Sequence, residues 1–188
     1  KERYLPPMAE GKEIWCQLFS EPSAGSDVAG LRSKAVQDGE NWIVNGQKVW
    51  TSGAHFSDYG ILVVRHDPSL EKHKGLTFFF VDMKSPGIEV KPIKQLTGGS
   101  SFNEVYFNDV VIPDSQRLGE IGDGWKVAIT TLMNERLAVG DADGVDANEA
   151  FELAKKHDKD GEQLIDNNAV RESIADWYCE ASGLKNTK

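Results

Sequence analysis

The chain has 188 residues, 39% of them hydrophobic and 27% charged, with 21 basic against 30 acidic side chains and a net charge of −9. That length and composition fit a globular chain with one well-buried core and part of a second unit. The acidic balance argues against a nucleic-acid surface, which needs clustered cations to displace counterions, and no apolar run approaches a membrane span.

The first residues, Lys1 to Pro7, lack the apolar stretch of a signal peptide. From Ile14 to Pro113 the punctuation is that of β structure. Asp38-Gly39 and Asn45-Gly46 each separate β-rich runs, as two-residue hairpin turns do. Trp15 to Phe19, Trp42 to Val44, Val49 to Thr51, Tyr59 to Arg65, Leu76 to Asp82, Ile88 to Pro92 and Asn103 to Val111 are the expected strands. Their spacing predicts a closed or sandwich-like antiparallel sheet, with turns at Pro86-Gly87 and Pro113-Asp114.

After Pro113 the period changes. Asp123 to Val139 shows a 3.6-residue pattern stopped by Gly140. Asp146 to Glu149 reads as a capping box for a helix with Ala147, Ala150, Phe151 and Ala154 on one side. Lys155 to Asn167 is charged and reads as a loop. Asn168 is the expected cap of a last helix with a stripe of Val170, Ile174, Trp177, Tyr178 and Ala181, stopped by Gly183. The fold class is therefore α+β: a β-barrel or sandwich over residues 1–117, then amphipathic helices over 118–188. Those helices carry more apolar face than the barrel can cover, so exposed apolar patches are expected.

Metal chemistry finds little support. His55, His66, His73 and His157 have no ligand spacing. Asp141 to Gly144 and Asp158 to Gly161 place their glycines too early for an EF-hand and lack its closing Glu, so both read as solvated acidic turns. Cys16 and Cys179 form no C-x-x-C pattern and read as buried free thiols of a reducing compartment.

Three segments carry chemistry. Ser23-Ala24-Gly25-Ser26-Asp27 is a small-residue loop whose backbone N–H groups can approach an anionic or planar ligand. Trp50-Thr51-Ser52 presents an aromatic ring and two hydroxyls. On the helix from Asp123, Glu135 and Arg136 fall at or inside the apolar sector of Trp125, Ala128, Ile129, Leu132 and Val139, where charge is costly unless paired or functional. Arg65 and Lys48 read as strand-surface residues. Thr97 to Asn103 reads either as a plain polar turn or as a segment whose side chains reach a ligand.

Ser20-Glu21-Pro22-Ser23-Ala24-Gly25-Ser26-Asp27 followed by Gln47-Lys48-Val49-Trp50-Thr51-Ser52 resembles the acyl-CoA dehydrogenase family, over roughly Arg3 to Thr187. The family layout implies an internal fragment: a middle β-domain and the beginning of a C-terminal helical domain. The resemblance implies FAD as cofactor. Phe19 and Ser20 would face the flavin ring, and Gly25 and Ser26 its diphosphate. Trp50 would pack on the isoalloxazine, with Ser52 as a hydroxyl near N5. Ser26 and Arg136 would also touch the acyl-CoA substrate. The family commonly has Thr at Ser20 and often Gly at Ser23.

Asn134-Glu135-Arg136-Leu137 matches the helix lining the acyl-CoA cleft. Some subfamilies carry the catalytic base there and most carry it further along, so two positions stay open: Glu135, and a carboxylate beyond residue 188. The implied reaction is α,β-dehydrogenation of an acyl-CoA to the 2-enoyl-CoA. The implied partners are an electron-transfer flavoprotein-like acceptor and further copies in a dimer or tetramer, with no nucleic acid and no membrane span. The implied location is the bacterial cytoplasm, or mitochondria or peroxisomes in a eukaryote. Two alternatives remain: a flavin-dependent oxidase or monooxygenase of the same fold, and a non-catalytic binding or scaffolding protein that keeps the barrel.

Overall fold

The computed structural model describes residues 1–139, 146–156, 158–159 and 162–185. It contains two compact units, Lys1–Asn134 and Glu135–Lys188. The first opens with a short helix, α1 (Leu5–Ala9), with prolines in its first turn, where a missing N–H costs nothing. Seven strands follow: β1 (Trp15–Leu18), β2 (Lys34–Asp38), β3 (Asn41–Ser52), β4 (Tyr59–Arg65), β5 (Leu76–Asp82), β6 (Ile88–Pro92) and β7 (Phe102–Pro113).

These strands form one curled sheet in the order β1-β4-β2-β3-β7-β6, with β5 on the other edge of β4. Pairing is mainly antiparallel, as expected, but β1 runs parallel to β4, so the sheet is mixed. A parallel neighbour needs a long crossover, and here 40 residues separate the two strands in the chain (Leu18 to Tyr59), including all of β2 and β3.

Both faces of the sheet are apolar. Leu18, Leu62, Val64, Phe79, Val81, Val105 and Ile112 belong to one core cluster. Phe19, Val63, Leu76, Phe78 and Ala128 belong to the other. This explains why β4 and β5 read as continuous apolar runs: they are covered on both sides. Helix α2 (Gly124–Val139) supplies the second cover through Trp125, Val127, Ala128 and Leu132.

Asp38-Gly39 is a hairpin corner as expected, with Asp38 paired to Asn41 and Gly39 at φ 59°. Asn45-Gly46 is not. It lies inside β3, which runs unbroken from Asn41 to Ser52. A bulge on β7 opposite Asn45 absorbs the irregularity. There Asp109 takes φ 49°, and its N–H donates to the Asn45 side chain at 3.0 Å. Gly46 is required for close approach: a Cβ there would lie 2.2 Å from Ser33 Oγ. The dipeptide thus marks a strand crossing, not a turn.

The second unit holds α3 (Ala147–Lys156), a two-strand ladder of β8 (Asp158–Lys159) and β9 (Glu162–Gln163), and α4 (Asn168–Lys185). Asp146 caps α3 by accepting the Asn148 N–H at 3.1 Å. The charged segment expected to be a loop is partly ordered into the end of α3, the ladder and a 3-10 turn over Leu164–Asp166. The cap of α4 is Asn167, one residue before the expected Asn168, and it accepts the Ala169 N–H at 2.9 Å. Gly183 does not stop this helix, which runs on to Lys185.

A groove of about 330 Å³ between α3 and α4 is lined by Phe151, Ile165, Ile174, Ala175, Tyr178 and Cys179. Trp177 and Tyr178 are exposed, matching the expected apolar patches. Cys16 is buried, but Cys179 is exposed rather than buried. The turn Asp141 to Gly144, the stop at Gly140 and His157 lie outside the described residues, as do Asp160 and Gly161 of the second acidic turn. Among the described residues no helix is long and apolar enough to cross a membrane, and no group of His, Cys, Asp and Glu could hold a metal ion.

Candidate functional site

The end of β1 leads into the loop from Phe19 to Ser33, which is held from beneath by one ion pair. Lys48, on β3, is 0% exposed. Its Nζ donates to the Phe19 carbonyl at 3.1 Å, the Val63 carbonyl at 2.8 Å and Glu21 Oε1 at 2.8 Å. Those three bonds use all the donors an ammonium has. Glu21 in turn accepts the backbone N–H groups of Arg32 at 2.6 Å and Ser33 at 3.0 Å. Both ends of the loop are therefore tied to one buried pair.

Burial pushes the Lys48 ammonium down to about 8, against the pull of Glu21. Burial also pushes the Glu21 carboxyl up, but Lys48, the Arg32 N–H and Ser33 outweigh it and hold that carboxyl below its ordinary value. Lys48 is not the surface residue that its charge suggests. One signal marks it: with Asn45-Gly46 inside the strand, Lys48 keeps the two-residue phase of Trp42 and Val44, both buried.

The second segment follows at once. The Val49 N–H leaves the β3–β7 ladder and donates to the Ser20 carbonyl at 2.9 Å. The register shifts between Lys48 and Thr51, which puts a bulge at Val49-Trp50. Trp50 sits there at φ 60°, a backbone region that bulky residues rarely adopt and that costs about 1–3 kcal/mol. Its ring is 60% exposed and meets Phe102 edge-on, 6.1 Å between centroids.

Asn103, 0% exposed, donates from Nδ2 to the Thr51 carbonyl at 2.9 Å and fixes the strand just past the bulge. Thr51 Oγ1 and Asn103 Oδ1 are buried without hydrogen-bond partners among the described residues. Ser52, next along, is exposed. Bulges re-aim side chains, and this one carries a strained aromatic outward beside Ser20.

The loop itself presents Gly25, Ser26 and Asp27 to solvent. A Cβ at Gly25 would meet nothing within 4 Å, so the approach to this backbone is open. Asp27 is bridged to Lys72. Arg65 is not a plain surface residue either: it donates to the Leu31 carbonyl at 3.2 Å and the Ala29 carbonyl at 2.6 Å, fastening the loop to β4.

Ser20, Trp50 and Ser52 thus lie on neighbouring segments that solvent reaches, whereas the Phe19 side chain is buried beneath them. Gly25 and Ser26 lie further along the same loop. Glu135 and Arg136 belong to the second unit. Both are exposed on α2, whose buried sector is Trp125, Val127, Ala128 and Leu132 rather than one that reaches the two charges. In the sequence Lys48 reads as a strand-surface residue and Asn103 as the end of a polar turn, and Glu21 has no role of its own; the structure buries all three.

Residues 16–110 match the acyl-CoA dehydrogenase middle domain, and residues 122–187 match the acyl-CoA dehydrogenase C-terminal domain. The acyl-CoA dehydrogenase FadE34 of Mycobacterium tuberculosis is 52% identical over 138 residues, covering 73% of this chain and 19% of that protein. Among solved structures, the ChsE4-ChsE5 complex from Mycobacterium tuberculosis aligns with a TM-score of 0.82 and 32% identity, covering 98% of this chain and 48% of that one. An acyl-CoA dehydrogenase from Geobacillus kaustophilus aligns with a TM-score of 0.88 and 28% identity, covering 97% of this chain and 50% of that one. The chain therefore spans half or less of the length of these relatives. With the loop, the bulge and both domain matches in the same order along the sequence, the chain belongs to the acyl-CoA dehydrogenase family.

Proposed function

We propose that this chain is part of an FAD-dependent acyl-CoA dehydrogenase, its middle β-domain over residues 1–117 and the start of its helical domain over 118–188, and that the parent oxidises an acyl-CoA to the 2-enoyl-CoA. One observation carries the reading. The Val49-to-Ser20 hydrogen bond sets the Phe19–Ser26 loop beside the strained Trp50 bulge on an accessible surface.

The residues fit a flavin. Trp50 offers a flat, exposed ring held by a backbone conformation that costs energy and that nothing in its own packing explains. Gly25 leaves its backbone open to a diphosphate. Phe19 and Ser20 would border the ring, Ser52 would donate a hydroxyl to its edge, and Gly25 and Ser26 would hold the diphosphate. When bound, FAD supplies the acceptor for the β-hydrogen.

The chain's own chemistry is proton removal and orientation. Glu135 is the base: its carboxylate takes the proton from the α-carbon of the thioester. Arg136 is always charged and cannot act as a base; with Ser26 it binds and orients the acyl-CoA. An electron-transfer flavoprotein is the proposed acceptor, and the parent is proposed to be a homo-oligomer.

The test is anaerobic stopped-flow bleaching of the full-length protein with a panel of acyl-CoA thioesters. Glu135→Gln should keep FAD bound and slow bleaching by about 10²–10⁴-fold. If the variant bleaches within a few-fold of wild type, the base lies beyond residue 188. If wild type binds no FAD, the dehydrogenase reading fails altogether.

A further inference from the structure

We propose that Lys48 is a positioning residue for the cofactor: by holding the Phe19 carbonyl from inside the sheet, it orients and strengthens the Ser20 N–H as a donor to the polar edge of a flavin ring. The inference rests on the reading of Ser20 as a flavin-facing residue, and adds a reason why a lysine is buried beneath it.

The geometry is that of a single peptide group. Lys48 Nζ binds the carbonyl of Phe19, whose side chain is itself buried. The Phe19–Ser20 peptide bond is trans, so its C=O and N–H point in opposite directions. The carbonyl points to the buried ammonium, and the Ser20 N–H points away from it. Among the described residues that N–H has no hydrogen-bond partner, and neither does the Ser20 hydroxyl, whereas the Ser20 carbonyl is occupied by Val49.

A fixed, unspent donor next to an exposed tryptophan is a recognition element. Hydrogen bonds to a charged group are stronger than neutral ones, and bonded groups polarise one another in series. A cation on the carbonyl draws charge from the amide and makes its N–H a better donor. Glu21 has the complementary task. It neutralises Lys48 and carries the same restraint to the Arg32 and Ser33 N–H groups at the far end of the loop.

A purely structural pair predicts a different pattern. Replacing a buried ion pair with neutral groups of similar size is often harmless to folding, and nothing beyond the pair would change. The polarising role predicts that the Ser20 amide changes even where the fold is intact.

The experiment compares wild type with Lys48→Met and with Glu21→Gln/Lys48→Met, the double variant leaving no orphaned charge if the single one does not fold. In the 188-residue chain, NMR should show the Phe19 carbonyl carbon and the Ser20 amide proton both moving upfield in the variants, while β6 and β7 amides hold their positions. Wild type gives the same readout without a variant. The two Phe19–Ser20 resonances should titrate together with the Lys48 ammonium; Glu21 is the charged side chain facing it among the described residues.

In the full-length protein, the double variant should bind FAD at least tenfold more weakly than wild type. Unmoved Phe19 and Ser20 resonances, or FAD binding equal to wild type in a folded double variant, would overturn the role of Lys48 while leaving the flavin reading intact. Wild type that binds no FAD would overturn that reading instead.

Discussion

Asp114 joins two elements through one carboxylate. It accepts the Trp42 indole N–H at 2.7 Å and two guanidinium N–H groups of Arg117 at 2.9 and 3.1 Å. Arg117, and after it Trp42, hold this carboxyl down to about 2, from an ordinary value of 3.8. Because the folded value is the lower one, the bonds stabilise the fold fully above about pH 3.8 and are lost as pH falls toward 2. Asp114→Asn should therefore lower the urea midpoint by the same amount at pH 7 and pH 5, and by clearly less at pH 3, read by tryptophan fluorescence. A difference that stays constant down to pH 3 would mean that the side chain acts by shape alone. Single residues of this kind are hard to read in advance. Nothing beside Asp114 in the chain announces Trp42, 72 positions away, and the charge of Lys48 points to solvent until the strand around it is known to be continuous.

Elements were far more legible than their joints. β4, β5 and β6 fall where their β-branched and aromatic runs predict, with the same ends. The misreadings occur where one local signal serves two structures. An Asn-Gly pair suits a hairpin turn, and also a place where a strand must pass close to Ser33. A glycine near a helix end suits a stop, yet Gly183 lies within α4. Two helical glycines make the distinction measurable. A Cβ on Gly124 would lie 2.5 Å from the backbone of Leu76 and Thr77, so α2 starts almost in contact with β5. Helix propensity alone favours Ala over Gly by about 1 kcal/mol, but overpacking costs about 1–3 kcal/mol. Gly124→Ala should therefore destabilise the protein by up to about 2 kcal/mol, the overpacking less the propensity gain. Gly183, where a Cβ meets nothing within 4 Å, should show the opposite sign, with Gly183→Ala gaining up to ~1 kcal/mol. Thermal melts of the two variants check both signs, and a stabilising Gly124→Ala would show that α2 can shift freely off the sheet.

For the molecule as a whole, the question is how much of a cofactor site 188 residues can hold. The candidate contacts are one ring face at Trp50, hydroxyls at Ser20 and Ser52, the Ser20 N–H, and an exposed loop at Gly25 and Ser26. A typical hydrogen bond contributes a net ~0.5–1.5 kcal/mol, whereas association costs roughly 4–15 kcal/mol in lost freedom before any side chain is ordered. Micromolar binding needs about −8 kcal/mol after those costs. A surface that leaves Trp50 60% exposed does not enclose a ligand well enough to reach it, and the chain spans only 48–50% of the structural relatives that it matches. The motif residues are local and were legible in the sequence, whereas incompleteness came only from the family layout, because enclosure depends on residues far apart in the chain. Titrating the 188-residue chain with FAD, followed by flavin and tryptophan fluorescence, should give a dissociation constant weaker than about 10 µM. Trp50→Ala should remove even that residual binding while leaving the melting curve almost unchanged, because the ring has little packing to lose and its departure relieves none of the core. Stoichiometric, submicromolar binding by the chain alone would show that the Phe19–Ser26 loop and the Trp50 bulge suffice, and that the rest of the parent contributes to substrate and acceptor rather than to holding the flavin.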